Sequence, residues 1–145
     1  MKKSVLALGL AGCLQIPLHA QKSVANELPS RLFLQGKEMF LDRNYVGTLH
    51  RMTEFKKFSN DKNLIAEADY LILSSLYYQG NPTVLNQLKD YLDRYPQTYH
   101  RQEIAFFAGS IHFEEQEWEK AAYWLSQADL DYLKPSQQED CSFRL

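Results

Sequence analysis

One stretch of the chain, residues 101–135, restricts the fold more than any other. It holds two runs of helix-forming residues separated by the polar segment Glu114 to Glu117. Small residues stand at Ala108 and Gly109 on the first run and at Ala121 on the second. Small side chains at such positions let two helix axes approach closely. The stretch therefore predicts an antiparallel helix pair with a tight crossing, a device that ordinary helical bundles also use.

Two upstream segments repeat this arrangement. Residues 30–59 and 61–96 each read as a helix, a polar break and a second helix, as do residues 101–134. The small residues of the first helices fall at positions 36, 74 and 109, which are 38 and 35 residues apart. We predict three helical hairpins on this basis. The predicted crossing positions are Gly36, Thr48, Ser74, Leu85, Gly109 and Ala121.

Composition agrees with a helical domain. The 145 residues include only 6 Gly and 5 Pro, and 45% are hydrophobic against 23% charged, as in an ordinary globular protein. Basic and acidic residues number 16 and 18, and removing Lys2 and Lys3 with the leader described below leaves 14 against 18. No predicted helix carries a stripe of Lys and Arg, so the sequence predicts no nucleic-acid partner.

The N-terminus has the features of an export leader. Residues 1–20 begin with two lysines, continue through an uncharged apolar run that is too short to span a membrane, and end at Ala20. Residues 21–29 are polar and are predicted to be an irregular linker. A second signal lies inside the leader, because the residues ending at Cys13 resemble a lipobox, whose cysteine is lipidated. Both alternatives predict an exported protein of the periplasm or outer-membrane periphery, held there by a lipid anchor or in a complex.

The C-terminal segment, residues 135–145, reads as one further helix. Pro135 suits the first turn of a helix, and we expect Phe143 and Leu145 to face inward. The segment is predicted to be the first helix of a fourth hairpin whose second helix is missing. On this interpretation the sequence is the N-terminal part of a longer repeat protein or a truncated gene.

The three units, which cover residues 30–134, resemble tetratricopeptide repeats. That family's pattern is W-x2-L-G-x2-Y, A-x3-F and P. The third unit follows it with these residues in order: Ala105 for W, Ala108 for L, Gly109, His112 for Y, Ala121, Leu125 for F, and Pro135. Thr48 and Leu85 depart from it, since the family prefers Ala there, and Leu85 is expected to widen its crossing. The resemblance implies an all-α fold of antiparallel hairpins stacked as a right-handed α-solenoid, similar to exported envelope members of the family.

The resemblance also implies a groove for a protein or peptide partner. In this family the first helix of each hairpin lines a concave surface that holds extended or helical segments. The matching positions are Phe33, Lys37, Phe40, Leu71, Ser75, Tyr78, Gln79, Phe106, Ser110, Phe113 and Glu114. Phe40 and Phe113 are better interpreted as packing residues, and the other nine form the predicted binding set.

Catalytic motifs are not found in the sequence. His50, His100 and His112 lie in separate hairpins or loops, without the spacing of a metalloprotease, and no nucleophile elbow or Gly-rich phosphate loop occurs. The sequence predicts no catalytic residue, no cofactor and no metal. It favours a non-catalytic protein–protein interaction scaffold of the cell envelope. The alternative is the recognition arm of a larger enzyme or cell-wall-binding protein whose functional domain follows Leu145.

Overall fold

A computed structural model describes the backbone of residues 18–145 and the side chains of residues 27–145. Within this range the chain is helical and contains no strand, so the all-α prediction is confirmed. The elements in chain order are α1 (Leu18–Leu41), α2 (Tyr45–Phe58), α3 (Lys62–Tyr78), α4 (Val84–Arg94), α5 (Arg101–Glu114), α6 (Trp118–Leu125), a 3-10 turn (Leu130–Tyr132) and α7 (Pro135–Arg144).

The packing joins helices that are close in the sequence. α1 packs against α2, α2 against α3, and α5 against α6. Less extensive contacts join α1 to α3 and α5 to α7. Large side chains fill these interfaces, among them Met52, Phe55, Tyr91 and Phe107, which are all fully buried. The stability of the chain therefore rests mainly on apolar burial between neighbouring helices.

Three turns of the same kind reverse the chain within α1–α2, α3–α4 and α5–α6. Each places one residue in the left-handed region: Arg43 with φ 59°, Gly80 with φ 65° and Gln116 with φ 61°. In each turn the next residue donates its backbone N–H to a carbonyl five residues earlier. For the third turn this is Glu117 to the carbonyl of His112, at 2.9 Å. These are Schellman motifs, which end a helix and satisfy its last carbonyls.

The turns give the repeat register independently of the side chains. Their left-handed residues are 37 and 36 residues apart, from position 43 to 80 and from 80 to 116. Thr48, Leu85 and Ala121 each lie five residues after the left-handed residue, as the predicted alignment of the second helices requires. The fold is therefore repeat-like within each helix pair.

Two glycines lie at close helix crossings. A Cβ on Gly109 would come within 2.6 Å of Leu125 Cγ and 3.0 Å of its backbone nitrogen. A Cβ on Gly36 would meet Met52 Cε at 2.7 Å, and the Thr48 hydroxyl donates to the Gly36 carbonyl at 3.4 Å. Gly109 thus allows an approach that a larger residue would prevent, whereas at Gly36 the nearest atom is the flexible end of the Met52 side chain.

The prediction for Ser74 needs a correction. Gly36 and Gly109 lie seven residues before the left-handed residue of their turns, and the residue at that position in the second pair is Leu73. Ser74, the nearest small residue, is buried but is one position out of register. α3 and α4 also share a smaller interface than the other two pairs.

The N-terminal segment also differs from expectation. Residues 21–29, predicted to be an irregular linker, belong to α1, which contains Pro29 in its interior. A proline removes one backbone hydrogen bond but leaves the others in place, so it does not by itself end a helix. Residues 1–17 of the predicted leader, including the candidate lipidation site Cys13, lie outside the described residues.

The last helix, α7, packs with the opposite side to the one expected. Phe143 is 82% exposed and Leu145 is 63% exposed, so the prediction that they face inward is wrong. Gln137 and Cys141 are buried instead, four residues apart on one face against α5 and α6. The helix is oriented by polar contacts as well, because Arg144 Nη1 donates to the Ser110 carbonyl at 3.3 Å.

Candidate functional site

A pocket of about 530 Å³ lies between α1, α3 and the segment that joins α4 to α5. We call it the α1–α3 pocket. Its walls are mainly apolar and come from Phe33, Leu64, Tyr91, Tyr95, Pro96 and Tyr99. Polar groups at its edge come from Lys37, Asn63, Glu67, Gln97 and His100. An apolar cavity of this size with a few fixed polar groups has the general features of a binding site.

Hydrogen bonds hold two of the pocket's tyrosines. The Tyr91 hydroxyl lies 3.1 Å from Oγ1 of Thr98, another lining residue, which ties the end of α4 to the segment before α5. The Tyr95 hydroxyl donates to Asp69 Oδ2 at 2.9 Å. Asp69 does not line the pocket, is only 6% exposed and also binds Lys56 and Arg94, so it connects α2, α3 and α4. Tyr95 is therefore anchored from outside the pocket and Tyr91 by a neighbour within it.

Glu67 holds the opposite edge together. Its Oε2 accepts from the Tyr99 hydroxyl at 2.5 Å and lies 2.7 Å from His100 Nε2. Burial raises the pKa of this carboxyl, but the hydrogen bonds from His100 and Tyr99 outweigh that effect and lower the pKa below its ordinary value. The hydrogen bond to Glu67, with burial, raises the pKa of Tyr99 to about 12. The phenol therefore keeps its proton and remains the donor.

His100 joins the pocket to the hairpin that follows. Its ring stacks on Tyr70 with a centroid distance of 3.3 Å and an angle of 5°. The Tyr70 hydroxyl donates to Glu103, whose other oxygen accepts from Lys134 Nζ at 2.8 Å. Pocket residues are thus linked through α3 and α5 to the beginning of α7.

Lys37 occupies the mouth of the pocket from the α1 side. It is exposed, and its Nζ lies 5.8 Å from the centroid of the Phe33 ring. Within the described part of the chain no carboxylate comes close enough to form an ion pair with it. Its charge reaches Glu67 as a small Coulombic contribution to the lowered pKa.

The nine predicted binding residues do not form one surface. Phe33 and Lys37 line the α1–α3 pocket. Four others are buried in the core and cannot touch a partner: Leu71, Ser75, Phe106 and Ser110. The remaining three lie near the turns, at the far ends of α3 and α5.

Those last three make contacts within the chain. Tyr78 stacks on Tyr45 at a centroid distance of 5.2 Å, and burial raises the pKa of Tyr78 to about 12. The Gln79 side chain donates to the Ser75 carbonyl at 3.0 Å, and Glu114 pairs with Arg144 at 3.7 Å. Tyr78 is eleven residues beyond Glu67 on α3, about 16 Å along the axis. The structure therefore separates these residues from the pocket.

A second polar cluster lies at the α5–α6 turn. The ligand-type atoms of His112, Glu115 and Glu117 all lie within 4.8 Å of one another, a grouping that could hold a metal ion. Glu117 accepts from His112 Nδ1 at 2.6 Å and from Lys120 at 2.6 Å, and these two hydrogen bonds lower its pKa. Both of its oxygens thus have protein partners. The buried Nε2 of His112 lacks the protein hydrogen bond that usually orients a metal-binding imidazole.

Sequence reasoning missed most of the pocket. Tyr91, Tyr95 and Tyr99 are spaced four apart, which is a usable signal for one aromatic face, although Pro96 interrupts the helix between them. Glu67 and His100 are 33 residues apart, and only the packing of α3 against the start of α5 brings them together.

Comparison of the chain with family models, curated proteins and solved structures finds no match. The resemblance to tetratricopeptide repeats therefore carries weight only through the residues and turns described above. None of the helices in the described part of the chain has the length and apolar character needed to cross a membrane.

Proposed function

We propose that this chain is a non-catalytic recognition module that binds a segment of a partner protein in the α1–α3 pocket. The observation that carries the proposal is the pocket itself, whose tyrosines are held by hydrogen bonds to Glu67, Asp69 and Thr98. Walls that are already positioned lose little conformational freedom when a ligand enters. Tyrosines in particular supply large contact areas at low entropic cost.

The polar groups of the pocket favour binding over catalysis. Tyr99 and His100 both bond to Glu67, and the Thr98 hydroxyl is bonded to Tyr91. Among the described residues, neither Ser nor Cys lines the cavity. We further propose that the helix pairs stack on one another as tetratricopeptide repeats do. We also propose that residues 1–20 direct export to the cell envelope.

A displayed library of random peptides tests the binding function. Peptides selected on the wild-type protein are measured by fluorescence anisotropy against Ala66→Phe, which fills the pocket, and Leu64→Ser, which removes an apolar wall. Loss of one large apolar contact is expected to weaken binding about tenfold or more. The matched control is Leu34→Ser, on an exposed part of α1 that does not line the cavity.

Two outcomes of this experiment would contradict the binding function. If no peptide is selected, or if selected peptides bind Ala66→Phe as tightly as wild type while circular dichroism shows it folded, the pocket is not the recognition site. Export is tested separately by cell fractionation, with a variant lacking residues 1–20. Equal recovery of both forms from the periplasm would contradict the leader.

A further inference from the structure

We propose that the α1–α3 pocket selects a segment in which a large aromatic side chain stands beside an acidic residue. This inference rests on the proposed function and adds the chemistry of the occupant. The aromatic side chain would enter the cavity between Phe33 and the tyrosines of the α4–α5 segment. The acidic group would lie at the mouth, against Lys37.

The size and composition of the cavity support the aromatic half of the inference. At about 530 Å³ it accommodates one large side chain with part of its backbone, and four aromatic residues, Phe33, Tyr91, Tyr95 and Tyr99, line it. Leu64 and Pro96 add apolar lining. A small aliphatic side chain would leave much of this surface in contact with water, so an aromatic occupant gains more.

Charge at the mouth supports the acidic half. The lining of the cavity contains one lysine and one carboxylate, Lys37 and Glu67, and their situations differ. Glu67 is largely buried and already bonded to His100 and Tyr99. Lys37 is exposed, is positioned beside the Phe33 ring, and has no ion-pair partner among the described residues. An incoming carboxylate therefore meets a cation whose charge is not compensated, whereas an incoming ammonium meets a carboxylate that is.

Four short peptides in a Gly/Ser host test the inference, with Trp-Glu, Trp-Gln, Trp-Lys or Ala-Glu at the centre. We expect wild type to bind Trp-Glu about threefold to fivefold more tightly than Trp-Gln, as for an ion pair at an exposed edge, and Trp-Lys more weakly still. Ala-Glu should bind at least about tenfold more weakly than Trp-Glu, because the cavity remains unfilled.

Two variants of Lys37 make the test specific. Lys37→Gln should bind the three Trp peptides alike, and Lys37→Glu should reverse the order so that Trp-Lys binds best. Lys57→Glu, which makes the same charge change at an exposed position of α2 outside the pocket, should keep the wild-type order. Raising the salt concentration should reduce the preference without abolishing Trp binding.

The outcomes separate the two proposals. If the three Trp peptides bind wild type equally and better than Ala-Glu, the binding function stands and the acidic preference is overturned. If Trp and Ala peptides bind alike, or none binds, the aromatic preference is overturned, and the selection from the displayed library decides the binding function separately. Free N-acetyl-tryptophan provides the last arm: if it binds as tightly as the Trp-Glu peptide, the pocket is a site for small aromatic acids and the peptide assignment is overturned.

Discussion

The α3–α4 and α5–α6 pairs have the same type of turn, but their helices pack on each other differently. Both turns use a left-handed residue, Gly80 or Gln116, and the same hydrogen bond from the residue that follows. α5, however, presents Gly109 to Leu125 at close range, while α3 has Leu73 at the same register position and packs less extensively on α4. The same turn therefore reverses the chain in both pairs, although the helices within them pack to different extents.

This difference bears on the location of the pocket. The cavity is lined by the first turns of α3 and by the last turn of α4, the ends of this pair that lie away from their shared turn. The Tyr95–His100 segment and α1 border the same pocket. The pocket thus lies beside the hairpin whose two helices pack least extensively on each other.

Giving α5–α6 the leucine found in α3–α4 should have the largest effect. We expect Gly109→Leu to lower the free energy of unfolding by about 3 kcal/mol or more, since even a Cβ there would overlap Leu125. Urea denaturation measures the change. The control, Leu73→Met, conserves volume and should cost less than about 1.5 kcal/mol. Equal midpoints for Gly109→Leu and wild type would remove the distinction between the two crossings.

The connection between the two pairs should depend on pH through Glu103. Burial raises the pKa of this carboxyl, but hydrogen bonds from Lys134, Tyr70 and Gln137 outweigh burial and lower it below the ordinary 4.5. A carboxyl with a lowered pKa in the folded state stabilises the protein above about pH 4.5, and that contribution is lost as the pH falls through the folded-state pKa.

Glu103→Gln isolates that contribution. We expect the variant to be about 2 kcal/mol less stable than wild type at pH 7 and the gap to narrow below pH 4.5. Urea titrations at a series of pH values measure the gap, and other carboxyl groups cancel because both proteins contain them. A gap that stays constant down to pH 3 would show that Glu103 gains nothing from being charged.

Substituting the left-handed residues of the second and third turns should change the stability in opposite directions. Gly80→Ala places a Cβ at φ 65° with no neighbour within 4 Å, so its cost of about 1 kcal/mol comes from the backbone alone. Gln116→Gly relieves the same strain at φ 61° and should raise stability by up to about 1 kcal/mol. Thermal melting of both variants provides the comparison. A loss of stability in Gln116→Gly would contradict the equivalence of the turns.

The smallest effect on stability is expected when the polar cluster of the third turn is replaced by the residues that stand at the same positions of the second turn. Leu76 and Asn81 occupy the positions that correspond to His112 and Glu117. The double variant His112→Leu with Glu117→Asn removes a buried imidazole nitrogen that has no protein partner, so stability should change by less than about 1 kcal/mol. The single variant Glu117→Ala leaves His112 Nδ1 unpaired and should be the less stable of the two. If the double variant unfolds, the cluster has a structural role beyond capping.

The helices were predictable because their signals are local. The breaks at Asp42–Asn44 and before Pro96 fall where the structure ends α1 and α4. α4 begins at Val84 with Thr83 at its N-cap position, and the Asn81 side chain accepts from the Thr83 backbone at 2.9 Å in the turn before it. Small residues did not predict the register of the second pair. The turns that define the register have no common residue type either, because their left-handed positions hold Arg43, Gly80 and Gln116. The continuation of α1 through Pro29 depends on the cost of one lost hydrogen bond, which a pattern does not reveal.

The pocket was less accessible to sequence reasoning for a different reason. Phe33 and Lys37, which the resemblance places at groove positions, lie one turn apart on α1 and both line the pocket. The other wall comes from residues 95–100, all of which are outside helices, so periodicity does not say which face they approach. Burial of Leu71, Ser75, Phe106 and Ser110 depends on contacts between hairpins, which a comparison of isolated units does not contain.

The buried thiol of Cys141 allows the detachment of α7 from the rest of the protein to be measured kinetically. Burial, with a contribution from Asp140, raises the pKa of this thiol, and it lies against Leu125 of α6. Alkylation needs an exposed thiolate, so its rate follows the frequency with which α7 detaches. With Cys13 changed to Ser, Cys141 is the one remaining cysteine of the sequence. Its labelling rate, compared with that of the unfolded chain, would give the free energy of undocking this helix separately from global unfolding.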